Sequence, residues 1–162
     1  METLTKQTGN LNDILQLVSF EIGDEEYAID ILKVQEINKQ LEITQIPNAP
    51  SFVKGIINLR GTVLPIVDLR TKLGIPKKEN DGDTRIIVVE LNNSKTGFIV
   101  DKVNEVLRIP ASITEPPPKI ISGKNAAMFS AVAKLEDRLI VLIDLEKAFT
   151  EDELDELNSV NS

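Results

Sequence analysis

The chain has 162 residues, 41% of them hydrophobic and 27% charged, with a net charge of −8, which fits one soluble domain or two very small ones with a core of their own. It has neither Cys nor His; disulfides, thiolate metal sites, cysteine nucleophiles, histidine bases and histidine phosphoacceptors are thereby excluded. Basic residues are scattered and aromatic residues are 4% with no Trp, so a phosphate-tracking stripe and a base-stacking platform are both missing and no nucleic-acid partner is expected.

The segment METLTKQTGNLND at the start lacks the apolar stretch of a signal peptide. No apolar run approaches the ~18 residues of a membrane span. The expectation is a cytoplasmic protein without direct membrane insertion. Residues 1–12 are polar and patternless, a mobile tail by expectation. Short β-type runs follow at residues 15–22 (LQLVSFEI), 27–31 (YAIDI) and 34–37 (VQEI), the first two joined by a loop at Gly23-Asp24-Glu25-Glu26. Residues 43–46 can add a strand before Pro47 and Pro50. Residues 55–59 and 62–67 flank Arg60-Gly61 as a hairpin. Asp68 is placed as the N-cap of a short helix that runs to Leu73 and stops at Gly74. Residues 76–84 (PKKENDGDT) are the expected linker. Strands resume at 85–91, 97–100 and 106–109. Residues 110–125, with Pro116-Pro117-Pro118, read as a long loop. Residues 129–135 and 139–143 make a last hairpin around Glu136-Asp137-Arg138. Asp144 opens a helix through Phe149. Thr150-Glu151-Asp152-Glu153 fits the capping box of a final acidic helix with Leu154 and Leu157 inward.

The order repeats. Val67-Asp68-Leu69 matches Ile143-Asp144-Leu145 at an offset of 76, and Leu59 matches Leu135 at the same offset. YAID at 27–30 matches FIVD at 98–101 at an offset of 71, and Leu17-Val18 matches Ile86-Ile87 at 69. The fold expected is mainly β: two tandem five-stranded SH3-like β-barrels with a pseudo-twofold relation, with short helices at the barrel ends and the C-terminus. The expected boundaries are a tail at 1–12, a domain at 13–150 with barrels at about 13–75 and 84–145, and an acidic helix and tail at 150–162. Halves this small make marginal cores alone and need a shared apolar interface.

Asp68 and Asp144 fall at equivalent positions, as a proton-sharing carboxylate dyad would. Both precede Leu and a long charged residue, and both are read as helix caps; Asp30 and Asp101 are read as turn residues. Lys54-Gly55 lacks the frame of a phosphate loop, and the acidic runs lack EF-hand spacing, so no metal and no cofactor is expected. Arg60 stands where the turn does not call for arginine. A guanidinium there reads either as a solvated turn residue or as an interface anchor, whose planar fork can pair bidentately while its stem packs on apolar surface. Pro65 cannot donate to a ladder and is expected on an edge strand or bulge.

The stretches GDEEYAIDILKVQEI and KGIINLRGTVLPIVDL resemble the signature segments of the bacterial chemotaxis coupling protein family, CheW. The resemblance covers about residues 15–150. It implies two packed SH3-like barrels and a non-catalytic adaptor. The implied partners are the cytoplasmic tip of methyl-accepting chemoreceptors and the histidine kinase CheA, bound through its regulatory domain, with recruitment to membrane receptor arrays. Carried over by motif, the protein-binding residues are Val34, Glu36 and Ile37 of VQEI, Lys54 and Gly55, and Asn58, Arg60 and Gly61 of NLRG. Gly97, Val103 and Val106 fall in the region implicated in the receptor groove between barrels and in kinase contact. The same module occurs within CheA and CheV; with no receiver or kinase segment in these 162 residues, a free coupling protein is expected. The alternative is a CheW-like module that serves as a scaffold for another kinase or receptor system.

Overall fold

The computed structural model describes residues 13–39, 42–76, 78–118 and 126–161. The tail at 1–12 and part of the loop expected at 110–125 lie outside the described residues. The strands are β1 (Ile14–Ile22), β2 (Glu25–Asp30), β3 (Val34–Lys39), β4 (Val53–Leu59), β5 (Thr62–Asp68), β6 (Arg85–Leu91), β7 (Ser94–Val100), β8 (Lys102–Pro110), β9 (Thr114–Glu115), β10 (Phe129–Leu135) and β11 (Arg138–Ile143). Two α-helices complete the frame, α1 (Leu69–Leu73) and α2 (Glu151–Asn161), with 3-10 turns between strands. The mainly β reading therefore holds. The strand expected at 43–46 shrinks to a single bridge from Thr44 to Ile56.

The strands form two sheets, in the orders β8-β1-β2-β11-β10-β9 and β3-β6-β7-β5-β4. The chain accordingly divides into two compact units. Unit 1 holds the described residues up to Leu32 and Val103–Ala148; unit 2 holds those of Lys33–Lys102 and Phe149–Ser162. This corrects the sequential barrels expected at 13–75 and 84–145. The repeat is real, but the first hairpin of each copy completes the sheet of the other. The reason is the parallel pairing of β2 with β11 and of β5 with β7. Parallel neighbours cannot be joined by a tight turn, so each must come from a distant segment. A repeat offset is the same whether copies fold alone or exchange strands.

Register also refines the equivalences. Leu17 pairs with Asp30 in one sheet and Ile86 with Ile99 in the other, which gives one offset of 69 for both strands of that hairpin. Ala28 therefore corresponds to Gly97, and the match of 27–30 to 98–101 is two residues out of register.

Each unit has its own core, built from alternate residues of neighbouring strands. Leu15, Leu17, Ala28, Ile140 and Leu142 belong to one; Ile57, Leu64, Ile66, Ile86 and Ile99 belong to the other. Pro65 is not on an edge, because β5 lies between β7 and β4. It faces Ile56 in the position next to the bonded Leu64–Ile57 pair of a two-residue hairpin, and pairing with β7 starts only at Ile66. Its missing N–H leaves no ladder bond unmade.

The caps follow the sequence. Asp68 accepts a hydrogen bond from the Arg70 N–H at 3.0 Å, and Gly74 closes α1 at φ 71°. Asp144 accepts from the Glu146 N–H at 3.1 Å over a 3-10 turn, Leu145–Ala148, where a helix through Phe149 was expected. Both aspartates work as caps. Thr150 and Glu153 exchange capping-box bonds of 2.9 and 3.1 Å at the start of α2. Leu157 is buried and Leu154 half-buried, and Lys72 grips Glu153 through both carboxylate oxygens at 2.7 Å.

A Cβ at Gly97 would stand 2.6 Å from Ile66 Cδ1 and 2.9 Å from Ile86 Cγ2. Gly97→Val should therefore cost about 1–3 kcal/mol by overpacking. Urea unfolding measures it, and an unchanged midpoint would mean that Ile66 and Ile86 can step aside.

Candidate partner-docking site

Arg60 and Gly61 are the two central residues of the β4–β5 hairpin, at φ 52° and 88°. Positive φ at both is the requirement of a type I′ turn. The β6–β7 hairpin meets it with Asn92 and Asn93, at φ 49° and 68°, the residue type that tolerates left-handed backbone best after glycine. Arginine there costs about 1–2 kcal/mol. Two contacts offset that cost. The Gly61 N–H donates to Asn58 Oδ1 at 2.8 Å, and Arg60 Nη2 donates to Glu36 Oε2 at 2.5 Å. Glu36 Oε1 accepts from Asn38 Nδ2 at 3.1 Å. Arg60 and then Asn38 hold the Glu36 carboxyl below the usual carboxylate range. The Arg60 side chain remains 67% exposed, so its guanidinium is aimed but still offers donors to solvent.

Glu36 lies on β3 and Arg60 at the tip beside β4, the two edges of one five-stranded sheet. Their contact requires that sheet to curl around its core. The structure thus unites Glu36, Asn58, Arg60 and Gly61 at one end of unit 2. On β3, Val34 is half-buried and Ile37 exposed. Lys54 lies elsewhere on β4, lining a cleft with Gln45, Ser51, Thr71 and Glu79 that none of residues 58–61 reaches. Gly55 and Gly97 are buried. A Cβ at Gly55 would stand 2.4 Å from the Thr44 carbonyl oxygen. Both glycines stand at close-packing positions, where a side chain would collide within the unit.

Val103 and Val106 belong to unit 1, on the edge strand β8, half-buried and exposed respectively. The same end of that unit holds a polar cluster the sequence reading missed. Arg138 donates to Glu26 from Nε at 3.1 Å and Nη2 at 2.5 Å, and to Glu105 from Nη1 at 3.1 Å. Ser19 Oγ and Asn104 Nδ2 also donate to Glu26, the latter at 3.2 Å. Burial raises the Glu26 pKa, but Arg138, Ser19 and Asn104 outweigh it and hold the carboxyl below its usual value. The cluster draws on four strands, so no sequence window contains it. The signal available was the match of VQEI with VNEV at 103–106.

No group of three or more acidic side chains among the described residues could hold a metal ion. No described helix is long and apolar enough to cross a membrane. The arrangement presents an aimed guanidinium, edge strands and exposed apolar side chains.

A family model described as the CheW-like domain matches residues 16–153. Chemotaxis protein CheW of Helicobacter pylori is 38% identical over 148 residues, 91% of this chain and 88% of that one. Chemotaxis protein CheW of Bacillus subtilis is 33% identical over 129 residues, 80% of this chain and 83% of that one. The crystal structure of the scaffolding protein TtCheW from Thermoanaerobacter tengcongensis is similar with a TM-score of 0.78 and 40% identity, over 85% of this chain and 93% of that one.

Because the Glu26 carboxyl titrates lower folded than its ordinary value of 4.5, its stabilisation is complete above that value and is lost as pH falls through the lower folded value. The stability difference between wild type and Glu26→Gln should be widest near neutral pH and shrink below about pH 4.5. Denaturant midpoints across pH 2–7 read it; a difference independent of pH would mean that Glu26 contributes no charge-dependent stability.

Proposed function

The chain belongs to the CheW-like family, and on that premise we propose that it is the non-catalytic adaptor that couples transmembrane chemoreceptors to the histidine kinase CheA. The observation that carries this reading furthest is Arg60. A costly turn residue that stays largely exposed, and is aimed by Glu36, makes sense as a contact rather than as a fold element. An adaptor of this kind needs no catalytic group; it needs surfaces of fixed geometry.

In this reading the tip at residues 58–61, with Glu36 and Ile37 beside it, meets the cytoplasmic tip of the receptor. The β8 edge with Val103 and Val106 is the second partner surface, in the region that serves both receptor and kinase contact. Signal passes as a change in the relative placement of partners. The protein is recruited to the membrane through the receptors it binds.

Arg60→Glu tests this. It replaces the anchor by a like charge beside Glu36 and should abolish or sharply weaken binding of a receptor-tip fragment. A surface change of this kind alters stability by about 1 kcal/mol or less, so the fold should survive. An isotope-labelled NMR titration with the receptor tip, and separately with the kinase regulatory domain, reads both effects. Shifts on two separable surfaces are expected in the wild type, one of them including residues 58–61. Normal receptor binding by Arg60→Glu would return Arg60 to a solvated turn residue.

A further inference from the structure

The last helix of unit 2 is weak by its own sequence. α2 has 11 residues, five of them acidic and none basic, and isolated helices shorter than about 12–15 residues are marginal in water. Glu151 and Asp155, like Asp152 and Glu156, are like charges four positions apart, which weakens it further. Its last turn has no basic residue to meet the helix dipole. α2 therefore depends on what it rests against, which is β5 and β7.

Glu153, in its first turn, has two jobs. Oε1 accepts from the Thr150 N–H at 2.9 Å and so closes the capping box. Both oxygens accept from Lys72 Nζ of α1 at 2.7 Å. The Lys72 ammonium also lies 4.8 Å from the centre of the Phe52 ring and 5.1 Å from that of Phe149, and the side chain is 11% exposed, the desolvated setting in which such contacts are strongest. Phe149 packs on Phe52 and Phe98, with ring centroids 5.5 and 6.1 Å apart. Phe98 and the core residue Ile99 point to opposite sides of β7. One carboxylate thus starts the helix and docks it, and the lysine and rings that receive it all lie outside α2.

We infer that α2 is a two-state strap, folded and docked together or unfolded and released together, with Lys72 of α1 as its catch. Capping and docking share Glu153, so neither is complete without the other. Leu157, buried two turns from the start of the helix, is seated only when both are made. Release leaves the core of unit 2 in place, because none of the residues of that core belongs to α2. The strap is a conformational switch on β5, the strand that leads from the Arg60 tip. The inference does not depend on the adaptor reading.

Amide hydrogen exchange on the full chain reads the switch. In the wild type, the amides of residues 155–161 should exchange as a group, about tenfold or more faster than those of β6 and β7 and slower than in an unstructured peptide. Two variants separate the two jobs. Glu153→Gln keeps a side chain able to close the capping box and removes the charge that Lys72 holds. Thr150→Ala keeps the ion pair and removes the cap oxygen. Each should speed exchange over all of residues 155–161 by about fivefold or more and leave β6 and β7 unchanged. Residues 158–161 are the diagnostic, since neither substitution touches them and simple fraying would be confined to the first turn. Unchanged exchange at 158–161 in either variant would overturn the inference. So would α2 exchanging in the wild type at the rate of β6 and β7 or at that of a free peptide, or a loss of protection in β6 and β7 along with α2.

Discussion

Two parallel strand pairs, β2 with β11 and β5 with β7, decide what the rest of the molecule can do. A parallel pair aligns the starts of its two strands. Each of these strands begins just after a two-residue turn, so both hairpin tips of a unit arrive at the same end of its sheet. In unit 1 this brings Glu26, near the start of β2, to Arg138 at the start of β11. In unit 2 it places Arg60-Gly61 and Asn92-Asn93 together. Glu26 and Arg138 are neighbours because of this alignment, not because of their order in the chain.

On that frame the chemistry is modest and local. Arg60 bears a left-handed backbone that arginine does not favour, and Asn58 and Glu36 hold the turn and the guanidinium in place. The pair also bridges the two edges of a curled sheet, so the aim of the arginine depends on the closure of the core behind it. An adaptor transmits no chemistry of its own. What it contributes is the direction in which such groups point, and a packed five-stranded sheet fixes direction better than a loop does.

The duplication has kept backbone and register while side chains diverged. The third strands retain Glu followed by an exposed β-branched residue, and the strands after the tips retain an exposed apolar residue. The charged side chains have diverged: Lys95 stands where the other hairpin has Glu26, and Thr62 where the other has Arg138. Ala28 and Gly97 diverge less, because both face a core that admits little more.

Much of this was legible in the residues themselves. Alternating apolar runs, the turn at Arg60-Gly61, the caps at Asp68 and Thr150 and the repeat of VDL with IDL depend on contacts only a few residues apart, and such local preferences act through the chain alone. The absence of Cys and His was likewise decisive before any fold was known. Other features needed the tertiary structure. Which copy's hairpin completes which sheet depends on parallel pairing across the whole chain, and the repeat offset is blind to it. The place of Pro65 inside the sheet depends on a partner strand that starts one residue later. Gly55 and Gly97 became packing residues only once Thr44, Ile66 and Ile86 stood against them. The sequence by itself determined the strands, the turns and the family; the tertiary structure decided which charges meet, because Glu26 and Arg138, like Glu36 and Arg60, are brought together only by strand pairing and curvature that no short stretch encodes.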